Sequence, residues 1–187
     1  MAASVARCVL LAGLLVSATS CSLPGPAIGP VAPRTALTER AWTDERGAQV
    51  RLATWRGRPL VVTMIYRTCQ FRCPMTLAKL RRVATAFREA GEPVEVVLVT
   101  LDPRNDTPAR LADFKQAERL GDAWHLLNGD DESTRALARF LRVHASNDDN
   151  HIDHDVKIAV FDGAGRFTTA FEGWDFAAED VIAATKR

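Results

Sequence analysis

The sequence predicts an α/β fold in which a central mixed sheet carries helices on both faces. Two continuous apolar runs rich in β-branched residues, 60–66 and 94–101, have the pattern of strands that are buried on both sides. A segment with helical periodicity follows each run, and strands that alternate with helices favour this architecture. With 187 residues, of which 47% are hydrophobic, the chain is long enough for one domain with its own core.

Residues 1–20 are predicted to be a signal peptide that is not part of the fold. Arg7 supplies a positive charge, residues 9–16 form a short apolar stretch, and small residues at 18–20 offer a cleavage site. The apolar stretch is shorter than the roughly 20 residues that span a bilayer. The domain is therefore expected to work outside the cytoplasm, where disulfides can persist.

Cys21 follows the predicted cleavage site directly and resembles the lipidated cysteine of a bacterial lipobox, although Ala18 stands where leucine is usual. We therefore predict that Cys21 is a lipid anchor. Plain signal cleavage with release to the periplasm is the alternative. In either case the protein is expected at the periplasmic face of the membrane or in the periplasm.

Residues 21–40 are rich in proline and glycine and are predicted to form an extended tether, with the folded domain at 41–187. A hairpin at 42–52 is predicted to open the domain, and a hairpin with strands 156–161 and 166–171 to come late in it. Residues 147–155 are predicted to be an acidic loop. The other predicted elements are strands at 60–66, 94–101 and 124–127, a helix that starts near Cys73 and ends at Gly91, a helix capped by Asp106 or Thr107, and helices at 131–141 and 176–186.

Cys69 and Cys73 are the cysteines left in the predicted domain, and they lie at the turn between the first buried strand and a long helix. Thioredoxin-like folds carry their thiol pair at this place. At a helical spacing of four, two Cβ atoms are about 5–6 Å apart, which suits binding of one metal ion or closure of a redox-active disulfide. The helix N-terminus and the nearby Arg67 and Arg72 favour thiolates, the reactive and metal-binding form.

The spacing argues against several alternatives. Dithiol oxidoreductases of the thioredoxin type use Cys-x-x-Cys, and zinc sites usually add a second cysteine pair, which this domain lacks. Thiolates in a site with few ligands select Cu(I), and an added imidazole lets such a site hold Cu(II) as well. The residues between and around the cysteines leave both metal and redox chemistry open.

Four histidines could complete a metal site. His125 lies in an apolar strand and is interpreted as structural, and His144 as a solvated or hydrogen-bonded loop residue. His151 and His154 lie in the acidic loop before a strand. His154 is favoured as the metal ligand, because the strand that directly follows it would hold it rigidly.

Three motifs occur in this order along the chain. The first is Cys69-x-x-x-Cys73-Pro74, the second is the stretch 101–108 with its Asp-Pro and Asp-Thr-Pro sequences, and the third is Asp153-His154 before an apolar strand. From about 43 to 171 the chain resembles the Sco/SenC family, thioredoxin-fold copper chaperones that assist assembly of the CuA centre of cytochrome c oxidase. The resemblance implies Cys69, Cys73 and His154 as copper ligands. It also implies an extracytoplasmic, membrane-tethered copper chaperone rather than an enzyme.

The implied partners are cytochrome c oxidase subunit II or another copper protein, a protein that donates copper, and the membrane through Cys21. The charge is nearly balanced, at +1 for the whole chain, with no basic stripe, so nucleic acid is not expected as a partner. An alternative function is a thiol–disulfide oxidoreductase that reduces the cysteines of a copper-protein target. A redox or copper sensor is a third.

The sequence departs from the family pattern in three places. Gln70, Phe71 and Arg72 stand between the cysteines where proline and an acidic residue are common. Met75 replaces a threonine and is interpreted as a packing residue rather than an extra ligand. Asp155 replaces a small hydroxyl residue, either as a partner of the imidazole or as a solvated residue.

Overall fold

The structure is a computed structural model that describes residues 37–148 and 151–186. The predicted signal peptide, Cys21 and most of the tether lie outside these residues. The strands are β1 Trp42–Asp44, β2 Gln49–Val50, β3 Leu60–Ile65, β4 Glu95–Thr100, β5 Trp124–Asn128, β6 Ala145–Asp148, β7 His151–His154, β8 Lys157–Phe161 and β9 Phe167–Glu172. The α-helices are α1 Arg72–Glu89, α2 Pro108–Ala117, α3 Asp131–Leu141 and α4 Ala178–Ala184, and a 3-10 helix covers Leu52–Trp55.

The central sheet is mixed, as predicted, with strand order β2-β1-β5-β4-β3-β8-β9. The three middle strands β5, β4 and β3 are parallel, and both flanks are antiparallel. Residues of β3 and β4 are buried on both faces, which explains their continuous apolar sequence. The carboxyl ends of parallel strands share one edge, and the cysteine turn follows β3 at that edge.

Two hydrophobic clusters fill the space on the two faces of this sheet. On one face, α1, α2 and α4 contribute residues such as Leu80, Leu111 and Val181. On the other face, α3 and the 3-10 helix pack, with Leu137 and Leu52 among the buried residues. Alternating residues of β3 divide between the two clusters, as the period of two in a strand requires.

The predicted fold class is confirmed, with some changes at the ends of elements. The α/β class, the mixed sheet, the first hairpin and the late hairpin β8–β9 are present. The first hairpin is shorter than predicted, because Leu52 already belongs to the 3-10 helix. The last helix is also shorter, beginning at Ala178. Leu37 and Thr38, in the predicted tether, are already buried.

The prediction of a loop at residues 147–155 is wrong. Residues Ala145–Asp148 and His151–His154 pair as an antiparallel hairpin, β6–β7, with Ala145 opposite His154. This stretch is polar, so it lacks the alternation that marks a half-buried strand in sequence. Its strands pair with each other as a separate two-stranded sheet.

Among the helices of the described residues, we find none with the length and apolar character needed to cross a bilayer.

Candidate metal site

The turn between β3 and α1 is organised by hydrogen bonds that involve both cysteines. The backbone N–H of Cys69 donates to the carbonyl of Tyr66 over 3.1 Å, and the Cys73 thiol points to the same carbonyl at 3.4 Å. The backbone N–H of Cys73 donates to Cys69 Sγ at 3.3 Å. Phe71, at the N-cap of α1, makes no side-chain cap. The sulfur of Cys69 therefore accepts one of the free N–H groups at the start of the helix.

The His154 imidazole lies at the end of β7 with one nitrogen bound and the other free for a ligand. Its Nδ1 lies 2.9 Å from the backbone carbonyl of Asp155. A carbonyl can only accept, so Nδ1 carries the proton and Nε2 holds the lone pair. Nε2 is buried and has no hydrogen-bond partner in the protein. A metal-binding histidine is typically held in this way, its second nitrogen donating to a backbone carbonyl.

Cys69, Cys73 and His154 come together, although 81 residues separate Cys73 from His154 in the sequence. Their ligand atoms all lie within 4.8 Å of one another, the single group of this kind found among the described residues. All three are buried, with 6%, 2% and 3% of their surface exposed. Two thiol sulfurs and one imidazole nitrogen are soft and intermediate donors, which fit Cu(I) and also accept Cu(II).

The two thiols differ in acidity, whereas the sequence predicted thiolates at both. Burial alone would raise the pKa of Cys69, but hydrogen bonds from the backbone N–H groups of Cys73 and Phe71 outweigh it, so the pKa is lowered. Deeper burial and the neighbouring sulfur raise the pKa of Cys73. Cys69 is therefore the more nucleophilic thiol of the apo protein.

Tyr66, which no sequence motif singles out, contacts His154 with its ring and Cys69 with its hydroxyl. Its ring packs edge-on against His154, with ring centroids 5.8 Å apart. Burial, followed by the hydrogen bond of its hydroxyl to Cys69, raises the pKa of Tyr66 to about 12. An aromatic residue at the end of an apolar strand carries no sequence signal that separates this role from simple packing.

Asp106 joins the loop after β4 to the cysteine turn. Its Oδ2 accepts from the backbone N–H of Arg67 at 2.9 Å and from the Thr100 hydroxyl at 2.7 Å, and the carboxylate is buried. Of the two residues predicted to cap α2, Asp106 and Thr107, it is Thr107 that caps the helix. Asp106 instead satisfies the backbone where β3 leads into the cysteines.

An ion pair between Arg72 and Asp153 connects the start of α1 with the hairpin that carries His154. The guanidinium and carboxylate lie 2.8 Å apart, both partly exposed.

Burial lowers the pKa of His154, and the positive charge of Arg72 lowers it further. The hydrogen bond to the Asp155 carbonyl raises the pKa, but the lowering effects outweigh it. The imidazole is therefore kept neutral, the form that binds metals. Beside His154 a cavity of about 190 Å³ opens, lined by Arg72, His144 and Asp153 among others.

The other residues considered as ligands or partners lie elsewhere or differ from expectation. His125 is a structural residue, as interpreted, with Nε2 2.8 Å from the buried Glu95 carboxylate. His144 is exposed and pairs with the side chain of Asp155 at 2.8 Å. Asp155 thus partners His154 through its backbone carbonyl rather than its carboxylate. Met75 is exposed, so the interpretation of its side chain as a packing residue is wrong.

Comparison with known proteins identifies the family. The SCO1/SenC family model matches residues 35–187. The chain is 30% identical over 136 residues to the mitochondrial SCO2 homologue of Bos taurus. The aligned region covers 67% of this chain and 49% of the relative, so the chain spans about half of that protein.

Solved structures agree with this identification. The copper-bound structure of ScoI from Bradyrhizobium japonicum is 26% identical, with a TM-score of 0.64, and the match covers 79% of this chain and 95% of that one. A SCO1/SenC family lipoprotein from Bacillus anthracis shares the fold at 22% identity, with a TM-score of 0.69 and coverage of 79% and 91%. The chain belongs to the SCO1/SenC family.

Proposed function

We propose that this protein is an extracytoplasmic copper chaperone that holds one copper ion between Cys69, Cys73 and His154. The observation that carries the proposal is the cluster itself. Three buried ligand atoms lie within 4.8 Å of one another, and the imidazole presents an unpartnered Nε2 to them. A buried nitrogen without a hydrogen bond is costly, and a metal ion would satisfy it. The copper-bound state of ScoI from Bradyrhizobium japonicum supports copper as the ion.

Copper is the cargo, and the residues of the chain determine how it is held. The lowered pKa of Cys69 provides one thiolate readily, whereas Cys73 must lose its proton when the ion binds. His154 is already neutral and oriented by Asp155. A site of three protein ligands leaves room for an incoming ligand of an acceptor, so copper can pass by stepwise ligand exchange.

We propose the CuA centre of cytochrome c oxidase, in its subunit II, as the destination of the copper. This rests on the family, which the sequence motifs and the family model both support. A copper-donor protein would load the site beforehand. Another copper protein with exposed cysteine ligands is the alternative acceptor.

Replacement of His154 tests the three-ligand site. We expect His154→Ala to weaken copper binding by at least about 100-fold, because a ligand is lost from a set of three. It should also abolish the thiolate-to-Cu(II) charge-transfer band that we expect of the copper-loaded wild type. The exposed His144→Ala is the matched control and should leave both unchanged. Equal copper affinity of His154→Ala and wild type would refute the proposed ligand set.

A thiol–disulfide reductase is the second candidate function, favoured by the unequal acidity of the two buried thiols. Cys69 would attack a disulfide of the target, and Cys73 would then displace the reduced target as the protein's own disulfide closes. This chemistry needs no imidazole. If the reduced His154→Ala variant still reduces a disulfide substrate when no other dithiol is present, the reductase function is supported. If His154→Ala loses both disulfide reduction and copper binding, the reductase function is contradicted.

We further propose that residues 1–20 are removed, that Cys21 is lipidated and that residues 21–40 tether the domain at 41–187 to the periplasmic face of the membrane. The lipoprotein from Bacillus anthracis, which shares the fold, supports this. Cys21→Ser should move the protein from the membrane fraction to the soluble periplasm. Unchanged fractionation would favour plain signal cleavage or another anchor.

A further inference from the structure

Two large apolar side chains are exposed among the residues that the structure describes, and both belong to the start of α1. Phe71 is 69% exposed and Met75 is 41% exposed. They are four positions apart at the start of α1, a spacing that places side chains on the same face of a helix. Other large apolar residues of this part of the chain are covered, so this pair is an exception in need of a reason.

The pair belongs to the turn and helix start that carry two of the candidate ligands. Phe71 lies between Cys69 and Cys73, and Met75 follows two positions later. The ligands themselves are buried beneath this turn. A protein that takes copper from Cys69 and Cys73 approaches the turn that carries them, and Phe71 and Met75 are the exposed large apolar side chains at that turn.

The stretch of chain that carries this pair has basic charged residues only. Between Tyr66 and Glu89 the chain has no acidic residue, and the first turn of α1 has none to offset the positive end of the helix dipole. Three of the basic residues have partners from other segments: Arg67 pairs with Asp106, Arg72 with Asp153 and Arg81 with Glu118. The basic residues of this stretch are Arg67, Arg72, Lys79, Arg81, Arg82 and Arg88.

We propose that Phe71 and Met75 form a docking surface for the copper acceptor, and that the acceptor has an apolar pocket with an acidic rim. This inference rests on the proposed function and names how its partner is recognised. A central aromatic anchor with charged surroundings is the arrangement that dominates the affinity of many interfaces. The basic stretch would raise the rate of encounter with an acidic partner.

Substitutions of Phe71 separate docking from copper binding, because Phe71 contributes only its backbone to the site. Phe71→Ala, which adds no acceptor at this N-cap position to compete with Cys69 Sγ for the Cys73 N–H, should retain the copper affinity and the absorption spectrum of wild type. Its copper transfer to the purified copper-binding domain of cytochrome c oxidase subunit II from the same organism should slow at least about tenfold. Phe71→Leu, which keeps an apolar side chain, should transfer nearly as fast as wild type.

Charge is tested by Phe71→Lys, whose side chain cannot accept from the Cys73 N–H, and by salt. If the acceptor is acidic, Phe71→Lys should transfer faster than Phe71→Ala, and the wild-type rate should fall as the NaCl concentration rises. Arg56→Glu reverses an exposed arginine that pairs with a glutamate and directly follows the 3-10 helix, which packs on the other face of the sheet from α1. This variant serves as the control and should transfer at the wild-type rate.

The outcomes distinguish this inference from the proposed function. If Phe71→Ala transfers copper as fast as the wild type, the docking surface is overturned and the chaperone role is left intact. Equal rates for Phe71→Lys and Phe71→Ala, without a salt effect, would overturn the acidic rim. A wild type that binds copper but transfers none to this domain would overturn both delivery to the oxidase and this docking partner.

Discussion

Tyr66 contacts all three candidate ligands, through its carbonyl, its ring and its hydroxyl. Its carbonyl accepts from the Cys69 backbone and the Cys73 thiol, and its ring packs against His154. Its hydroxyl hydrogen-bonds to Cys69 and, by a second contact, to the backbone of Ile152 in β7. Backbone contacts survive a substitution, so the hydroxyl is the part of this residue that mutation can test.

Tyr66→Phe should therefore leave the fold and the carbonyl contacts intact while removing one donor to the Cys69 sulfur. Without that donor the thiolate is less stable, and the pKa of Cys69 should rise. We expect slower alkylation of Cys69 at neutral pH in the apo protein, measured by mass spectrometry against time. Alkylation at the wild-type rate would show that the hydroxyl does not stabilise the thiolate.

Two hairpins of the central sheet close with the same local structure. Asp44 begins the β1–β2 turn and Asp162 the β8–β9 turn, and each buried carboxylate accepts from backbone N–H groups two and four residues later. Each also pairs with an arginine of its turn, Arg46 or Arg166. Burial alone would raise the pKa of each aspartate, but the hydrogen bonds outweigh it and the pKa values are lowered. The turn after β8 thus helps to fix the strand that follows His154.

A lowered pKa makes the contribution of Asp162 to stability depend on pH. The contribution is complete above the unfolded-state pKa of about 3.9 and is lost as the pH falls through the lower folded-state pKa. Asp162→Asn should therefore be less stable than wild type at pH 7, by roughly 1–3 kcal/mol. Its urea-unfolding free energy should also fall less steeply than that of wild type when the pH drops below about 4.

The exposed Asp113→Asn on α2 is the matched control and should follow the wild-type pH profile. Parallel acid profiles for wild type and Asp162→Asn would show that the turn carboxylate is not linked to folding.

Across the molecule, the site joins two distant parts of the chain. The cysteines follow β3 in the first half, whereas His154 ends a hairpin that packs as a separate two-stranded sheet. In the protein alone, the link between them consists of the partly exposed Arg72–Asp153 pair, the contacts of Tyr66 and the packing of Ile152 on the core. An exposed ion pair contributes at most about 1 kcal/mol. A metal ion held by both parts would add a much stronger link.

Copper should therefore stabilise the folded state and protect β6–β7. A ligand at 100 times its dissociation constant stabilises the state it binds by about 2.7 kcal/mol. We expect the reduced protein to show a higher Tm with Cu(I), and slower amide exchange in the hairpin. His154→Ala should retain part of the Tm shift through its thiols but lose the protection of the hairpin. Equal protection in both proteins would show that the hairpin is not held through the metal.

Local signals in the sequence were enough to predict the class of fold, the thiol pair at the end of β3 and the ends of α3. For the fold and the thiol pair, these signals are continuous apolar strands and the spacing of two cysteines. In the structure α3 starts at the N-cap Asp130, whose side chain accepts from the backbone N–H of Ser133. The choice of His154 over the other histidines came from the family resemblance and from its position before a strand. In the structure its ligand atom lies within 4.8 Å of those of both cysteines.

The groups that surround the ligands could be identified from the folded protein alone. The Nδ1 bond of His154, the unequal thiols, the support from Tyr66 and Asp106 and the exposure of Phe71 and Met75 all depend on segments that meet in space. The β6–β7 hairpin escaped prediction for the same reason, since its polar strands are held by pairing and long-range contacts rather than by their own hydrophobic pattern. Local sequence encodes local conformation, whereas burial and electrostatics at a site are set by residues that the sequence places far apart.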